Sequence, residues 1–224
     1  MDGLFAPLDL YCERTDASFW SEPVNALTNL LFVAAGLYGV LRVRANKTGG
    51  FAEALCWWVI VVGLGSLLFH TTAIELTKWA DIIPIATLTL ALTLFFLHRL
   101  AGLGWSKTIV FLIAYFIVTG ALTYLLIPQS IWTATNGSIG YLPAGGAFVF
   151  CGIVILISGG AGGWYSLACA AIFGFAVYFR TIDPTVCESF PLGTHFLWHS
   201  LNAIMLGVAL VAVAKYGAQR AAYR

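Results

Sequence analysis

Five polar side chains in this chain are spaced so that they could act on one bond. His195-Phe196-Leu197-Trp198-His199 places two imidazoles four residues apart, and that spacing puts them on one face of a helix. His70 ends a different apolar stretch, with Ser66 four residues before it and Asp81 eleven residues after it. An i, i+4 histidine pair joined by one distant histidine is a common zinc arrangement, with a fourth position left for water. Taken singly, each residue has an ordinary explanation. A histidine at a helix end sits at a membrane interface, Ser66 would be a small residue at a helix contact, and Asp81 would be a first-turn acid favoured by the helix dipole. The histidine pair resists such an explanation, because burying two unpartnered imidazoles in an apolar helix costs free energy. His98, beside Arg99, serves as the contrast and reads as interfacial.

A second cluster lies near the start of the chain: Asp9, Glu13, Asp16 and Glu22, with Arg14 as the single cation among them. Several carboxylates so close together suit a hard cation with oxygen ligands, such as calcium. The spacing and glycine of an EF-hand loop are missing, and a solvated acidic tail is the plainer reading. Of the five cysteines, Cys56, Cys151 and Cys169 fall inside apolar stretches and read as small core residues. Cys12 and Cys187 fall in outer segments, where two thiols can be oxidised to a disulfide.

The elements that must position these groups are membrane helices. Of 224 residues, 60% are hydrophobic and 9% charged, against roughly 25% charged in a soluble domain. The mean hydropathy is +0.90. A soluble or disordered chain is excluded, and with a net charge of +1 and no basic run nucleic acid is not an expected partner. Seven stretches approach the roughly 20 apolar residues that a span needs: about 23–44, 50–71, 81–100, 106–127, 140–159, 161–180 and 193–215. The start of the fifth, Tyr141 to Gly146, could be loop or helix. Strand-like alternation is absent, which excludes an outer-membrane barrel. The expected fold is an all-α integral membrane protein, a seven-transmembrane helix bundle forming a single domain over 1–224. Within it, 1–22 is an acidic outer tail, 23–215 the bundle and 216–224 an inner tail.

Charge sets the expected orientation. With the N-terminus outside and the C-terminus inside, Arg42, Arg44, Lys47, Arg99, Lys107, Lys215, Arg220 and Arg224 fall inside, and only Arg14, Lys78 and Arg180 fall outside, as the positive-inside rule requires. Asp2, Asp9, Glu13, Asp16, Glu22, Glu75, Asp81, Asp183 and Glu188 fall outside, and Glu53 is the exception. No cleavable signal peptide is visible, so the first span is expected to serve as an uncleaved anchor.

Together these residues resemble the alkaline ceramidase family of seven-helix membrane hydrolases. The resemblance rests on Tyr11-Cys12-Glu13 with Phe19-Trp20-Ser21-Glu22-Pro23-Val24-Asn25 and Thr28-Asn29; on Gly63 to His70 with Asp81 and Pro84; and on Cys187-Glu188-Ser189 leading to His195 and His199. It implies zinc held by His70, His195 and His199 with Ser66 and Asp81 beside it, a disulfide between Cys12 and Cys187, and calcium in the acidic tail. Glu13 and Glu22 match the family's calcium residues directly. Asp9 matches only with a one-residue shift, Leu10 standing where the family's animal members have Asp, and Asp16 could compensate.

The expected activity is then that of an amidohydrolase acting on linear amides. It would cleave ceramide or a related N-acyl lipid to a fatty acid and a sphingoid base by zinc-activated water, with Asp81 carrying the proton and Ser66 stabilising the oxyanion. The alternative is a zinc-containing seven-helix lipid receptor, a class that carries a similar Ser, Asp and three-His set. A transporter would need ionisable groups along a path through the midplane, and the spans have almost none. The short termini fit a bacterial plasma membrane with the site toward the periplasm, with an endoplasmic reticulum or Golgi membrane as the alternative. No oligomeric state is read from the sequence.

Overall fold

Long apolar runs in lipid satisfy their backbone groups internally only as helices or closed barrels, and every long element here is helical. The computed structural model describes residues 3–218; Asp2, Arg220 and Arg224 of the charge pattern lie outside the described residues. In chain order the helices are α1 (Pro23–Thr28), α2 (Leu30–Ala45), α3 (Gly50–Thr72), α4 (Glu75–Phe95), α5 (Trp105–Leu126), α6 (Gln129–Ala134), α7 (Leu142–Ile157), α8 (Gly163–Val186) and α9 (His195–Tyr216). A π-helical turn, Phe96–Leu100, extends α4, and a 3-10 turn, Ser138–Tyr141, precedes α7. Seven segments are long and apolar enough to cross a membrane: Pro23–Ala45, Gly50–Thr72, Glu75–Leu100, Trp105–Leu126, Ser138–Ile157, Gly163–Val186 and His195–Tyr216.

Several boundaries differ from the sequence reading. The first span is broken at the fully buried Asn29, whose Nδ2 donates to Asn25 O at 2.8 Å. The third starts at Glu75, not near 81, so Asp81 lies in the second turn of α4 rather than at its start. The extra turn is possible because tail carbonyls serve its first donors: Glu75 N donates to Ala6 O and Leu76 N to Leu4 O. Lys78 also pairs with Glu75 at 2.7 Å, so the charges that mark an apparent span end neutralise each other. The sixth span runs to Val186. Pro184 removes one backbone donor two residues before the end of α8, so only the last turn lies beyond the missing bond. Tyr141 to Gly146 resolves into the last residue of the 3-10 turn and the start of α7, with Pro143 in the first helical turn.

The most buried span is α9, which packs against α2, α8 and α3, whereas α5 lies at the edge with little of its surface covered. Phe95, Phe96, Leu97, Ile155, Leu210 and Val213 fill the core at the end of the bundle where α4 and α9 finish. The opposite end, where α3 finishes and α9 begins, carries His70, His195 and His199.

One close approach matters to the site. A Cβ at Gly65 would overlap the backbone carbonyl of Ala80, so only glycine lets α3 lie this near α4, with Ser66 and Asp81 next in line on the two helices. We predict that Gly65→Val costs about 1–3 kcal/mol through overpacking, seen as a lower thermal midpoint in detergent. Gly174→Ala, at a position with nothing within 4 Å, is the control and should leave the midpoint unchanged or raise it.

Candidate metal centre

Three imidazoles converge where α3 ends and α9 begins. His70 lies in the last turn of α3, and His195 and His199 occupy the first two turns of α9. One potential ligand atom from each lies within 4.8 Å of the others, and all three residues are buried. The ring centroids are 4.6 Å apart for His70–His199 and for His195–His199, and 5.2 Å for His70–His195.

Outer partners set two of the rings. His70 Nδ1 lies 2.6 Å from Glu22 Oε2. A carboxylate accepts, so Nδ1 carries the proton and Nε2 is left as a lone pair; that Nε2 is buried with no protein partner. His199 Nδ1 lies 3.1 Å from Thr28 Oγ1. The Thr28 hydroxyl gives its own proton to Val24 O or Asn25 O, at 2.8 and 3.0 Å, and therefore accepts from His199, freeing Nε2 again. Such second bonds are the usual means of fixing the tautomer of metal-binding histidines. His195 stacks on Tyr11 with ring centroids 3.6 Å apart, and its Nδ1 is also buried and unpartnered. Buried nitrogens without a bond are rare in folded proteins and call for a ligand or ion. The donor set fits zinc.

Ser66 and Asp81 complete the end of the site. They follow the close contact of Gly65 with Ala80 on facing helices; Ser66 is buried, and Asp81 Oδ1 is buried without a partner. Below them a cavity enclosing about 610 Å³, including the space at its mouth, runs down the bundle. Ser66 and His199 lie at its head, and Phe32, Val62, Leu88, Phe148 and Leu206 form walls. From His199 to Leu206 the helix descends about 10 Å at 1.5 Å per residue. The cavity is apolar apart from a few groups, Asn202 and Thr89 among them.

The acidic tail is arranged otherwise than its composition suggests. Glu13 accepts from Val24 N at 2.6 Å and Asn25 N at 2.8 Å and so caps α1. Glu22 accepts from Arg14 Nε at 2.5 Å and from Asn25 Nδ2 at 3.2 Å, besides its bond to His70. Asp9 is exposed, and so is Asp16, which accepts from Ser18 N at 2.8 Å. Among the described residues these four carboxylates do not form a convergent set; the two buried ones are already committed to protein donors. Burial pushes the Glu13 carboxyl above its usual range, against the opposing pull of the Asn25 and Val24 amides. Burial pushes Glu22 the same way, but the His70 and Arg14 contacts outweigh it and hold Glu22 below the usual range. For Tyr11, burial raises the phenol above its ordinary value.

The sequence reading overlooked Asp183, treating it as one more outer acid. It is fully buried in the last turn of α8. Its Oδ1 accepts from Thr194 N at 2.6 Å and His195 N at 2.9 Å, and its Oδ2 from Cys12 N at 3.2 Å. One carboxylate therefore caps the start of α9 and holds the tail. Gly193, with φ +66°, makes the turn beside it, where a Cβ would strike both Asp183 and Cys12. The disulfide between Cys12 and Cys187 ties the same two segments, with Cα atoms 5.1 Å apart. Arg180, also not singled out, donates through Nη1 to Asn136 O and Ser138 Oγ, both at 2.8 Å, and lies over the Tyr141 ring. No local pattern marks either residue, since their partners come from distant segments.

A family model described as Ceramidase matches residues 11–221 of the chain. No curated protein matches it.

We predict that Asp183→Ala strands the first amides of α9 and lowers stability by about 1–3 kcal/mol for each donor left buried. Thermal unfolding with the disulfide intact measures this. A shift within error of wild type would show that the cap is dispensable.

Proposed function

The chain belongs to the ceramidase family, and on that premise we propose that it hydrolyses the amide of ceramide or a closely related N-acyl lipid, releasing a fatty acid and a sphingoid base. The observation that carries this reading is the convergence of three buried imidazoles at the head of an apolar cavity that Ser66 and His199 line, with Asp81 beside the Gly65–Ala80 contact on the neighbouring helix. His70, His195 and His199 would hold zinc. Bound there, zinc supplies Lewis acidity, which polarises a carbonyl and makes water nucleophilic near neutral pH.

The remaining chemistry falls to the chain's own side chains. Asp81 Oδ1, free of any protein donor, accepts a proton from the attacking water and returns it to the departing nitrogen. Ser66 lines the cavity and offers its hydroxyl to the carbonyl oxygen as negative charge grows there. The apolar walls hold the acyl chain and exclude water from it. Arg42, Arg44, Arg99 and Lys215 stand at the helix ends away from His70, His195 and His199, which supports an orientation with the metal centre on the outer face of the membrane. A bacterial plasma membrane, with the site toward the periplasm, remains the proposed location.

The test is zinc analysis of the detergent-purified protein, together with mass-spectrometric detection of sphingoid base released from ceramide. We expect zinc in the wild type and none in His199→Ala. Asp81→Asn should keep zinc and lose about 10²–10⁴-fold in turnover. Ser66→Ala should lose less than His199→Ala. Near-wild-type turnover by Asp81→Asn would remove Asp81 as the proton carrier. Zinc without any release would favour the receptor-like alternative.

A further inference from the structure

A guanidinium is buried beside the metal centre, at the end of the bundle where an apolar surrounding makes a lone charge costly. Arg14 has each of its three nitrogens on an acceptor. Nε donates to Glu22 Oε1 at 2.5 Å, Nη1 to Asp16 O at 3.0 Å, and Nη2 to His70 O at 3.3 Å. Glu22 passes the contact on, since its other oxygen accepts from His70 Nδ1 at 2.6 Å. Arg14 thus touches His70 twice, directly at its backbone carbonyl and through Glu22 at its ring. Neighbouring bonds close the segment around the cation: Ser21 Oγ accepts from Thr15 N at 2.9 Å and Asp16 N at 3.1 Å, and Glu13 caps α1.

We propose that Arg14 is a positioning residue for the metal centre, a built-in cation that holds Glu22 on His70 and gives the acidic tail the positive charge that its composition would otherwise draw from a divalent ion. The argument has two parts. Glu22, buried between His70 and Asn25, needs a compensating charge, and a covalently attached cation supplies it without being lost to solvent. A planar guanidinium also fixes direction. Its rigid fork links the carboxylate that orients the His70 ring to the carbonyl of the same residue, so ring and backbone are held as one unit. Lysine would keep the charge and lose this two-point hold. Bonds of this kind to metal-binding histidines typically change metal affinity by about 10–100-fold.

The inference rests on His70 being a metal ligand, as proposed above, and the experiment separates the two. Full-length protein is stripped of metal in detergent. Zinc affinity is measured by competition with a chromophoric chelator, and the visible spectrum is recorded after cobalt loading. The variants are Arg14→Lys and the double variant Arg14→Met with Glu22→Gln, which leaves neither charge buried alone. The double variant should bind zinc about 10–100-fold more weakly with altered cobalt bands. Arg14→Lys should fall between it and wild type. Wild-type zinc affinity should be the same with and without added calcium. Unchanged affinity and spectrum in the variants would overturn the role of Arg14, whatever happens to their melting temperatures. If the double variant does not fold, Arg14→Lys decides alone, and wild-type affinity there overturns the proposal. A calcium requirement would show that the tail takes a mobile cation and would overturn it too. A wild type that binds no zinc would overturn the metal reading itself.

Discussion

A carboxylate taken out of water must receive its hydrogen bonds from the protein, and at Asp183 that requirement organises one end of the bundle. Its oxygens collect the first amides of α9 and the amide of Cys12. The start of α9 determines where His195 and His199 stand, and the position of Cys12 determines where Tyr11, Glu13 and Arg14 stand. Both sides of the metal centre are therefore referenced to the same buried anion. The Cys12–Cys187 bond fastens these segments at a neighbouring point, and Gly193 provides the turn that brings the chain close enough.

The membrane solvent explains why the polar groups are so completely paired. Lipid offers no donors or acceptors, and several buried ionisable groups near this end take partners from other segments: Glu22 with His70 and Arg14, His199 with Thr28, Arg180 with Asn136 and Ser138. Among the described residues the exceptions are His70 Nε2, His195 Nδ1 and Asp81 Oδ1 at the candidate site, and Asn25 Oδ1 and Asn29 Oδ1 in the first span. Three of these five open atoms belong to the residues proposed for the chemistry.

Much of this was legible in the chain. The spans follow from hydropathy, and the i, i+4 histidine pair announces a shared face whatever the tertiary structure. The convergence of His70 with that pair is less local, because it depends on α3 and α9 packing with their ends level. The tail's composition does not say how its carboxylates are used. Counting carboxylates suggests a cation site, whereas Glu13 serves as a helix cap and Glu22 as a histidine partner. Nothing in the local pattern says that Arg14 turns inward, since its partners His70 and Glu22 become neighbours only after α1 and α3 pack. Asp183 was hidden for a similar reason: a charge followed by proline reads as a loop, yet the helix continues through both. Span ends misjudged at Glu75 and Asp183 are places where charge is cancelled by a partner that periodicity does not reveal.

The cross-link between residues 12 and 187 closes a covalent ring around six of the seven spans and leaves α9 outside it. During synthesis the amino-terminal segment emerges first, long before Asp183, Cys187 and the last two histidines exist. The segment that orients His70 must therefore wait, unanchored, until the chain has been made as far as Asp183 and Cys187. A nascent chain can offer at most one of the three imidazoles until its final helix is inserted. The three-imidazole set is thereby completed only once α9 is in place, so a half-built chain presents no such set to the membrane into which it is being threaded.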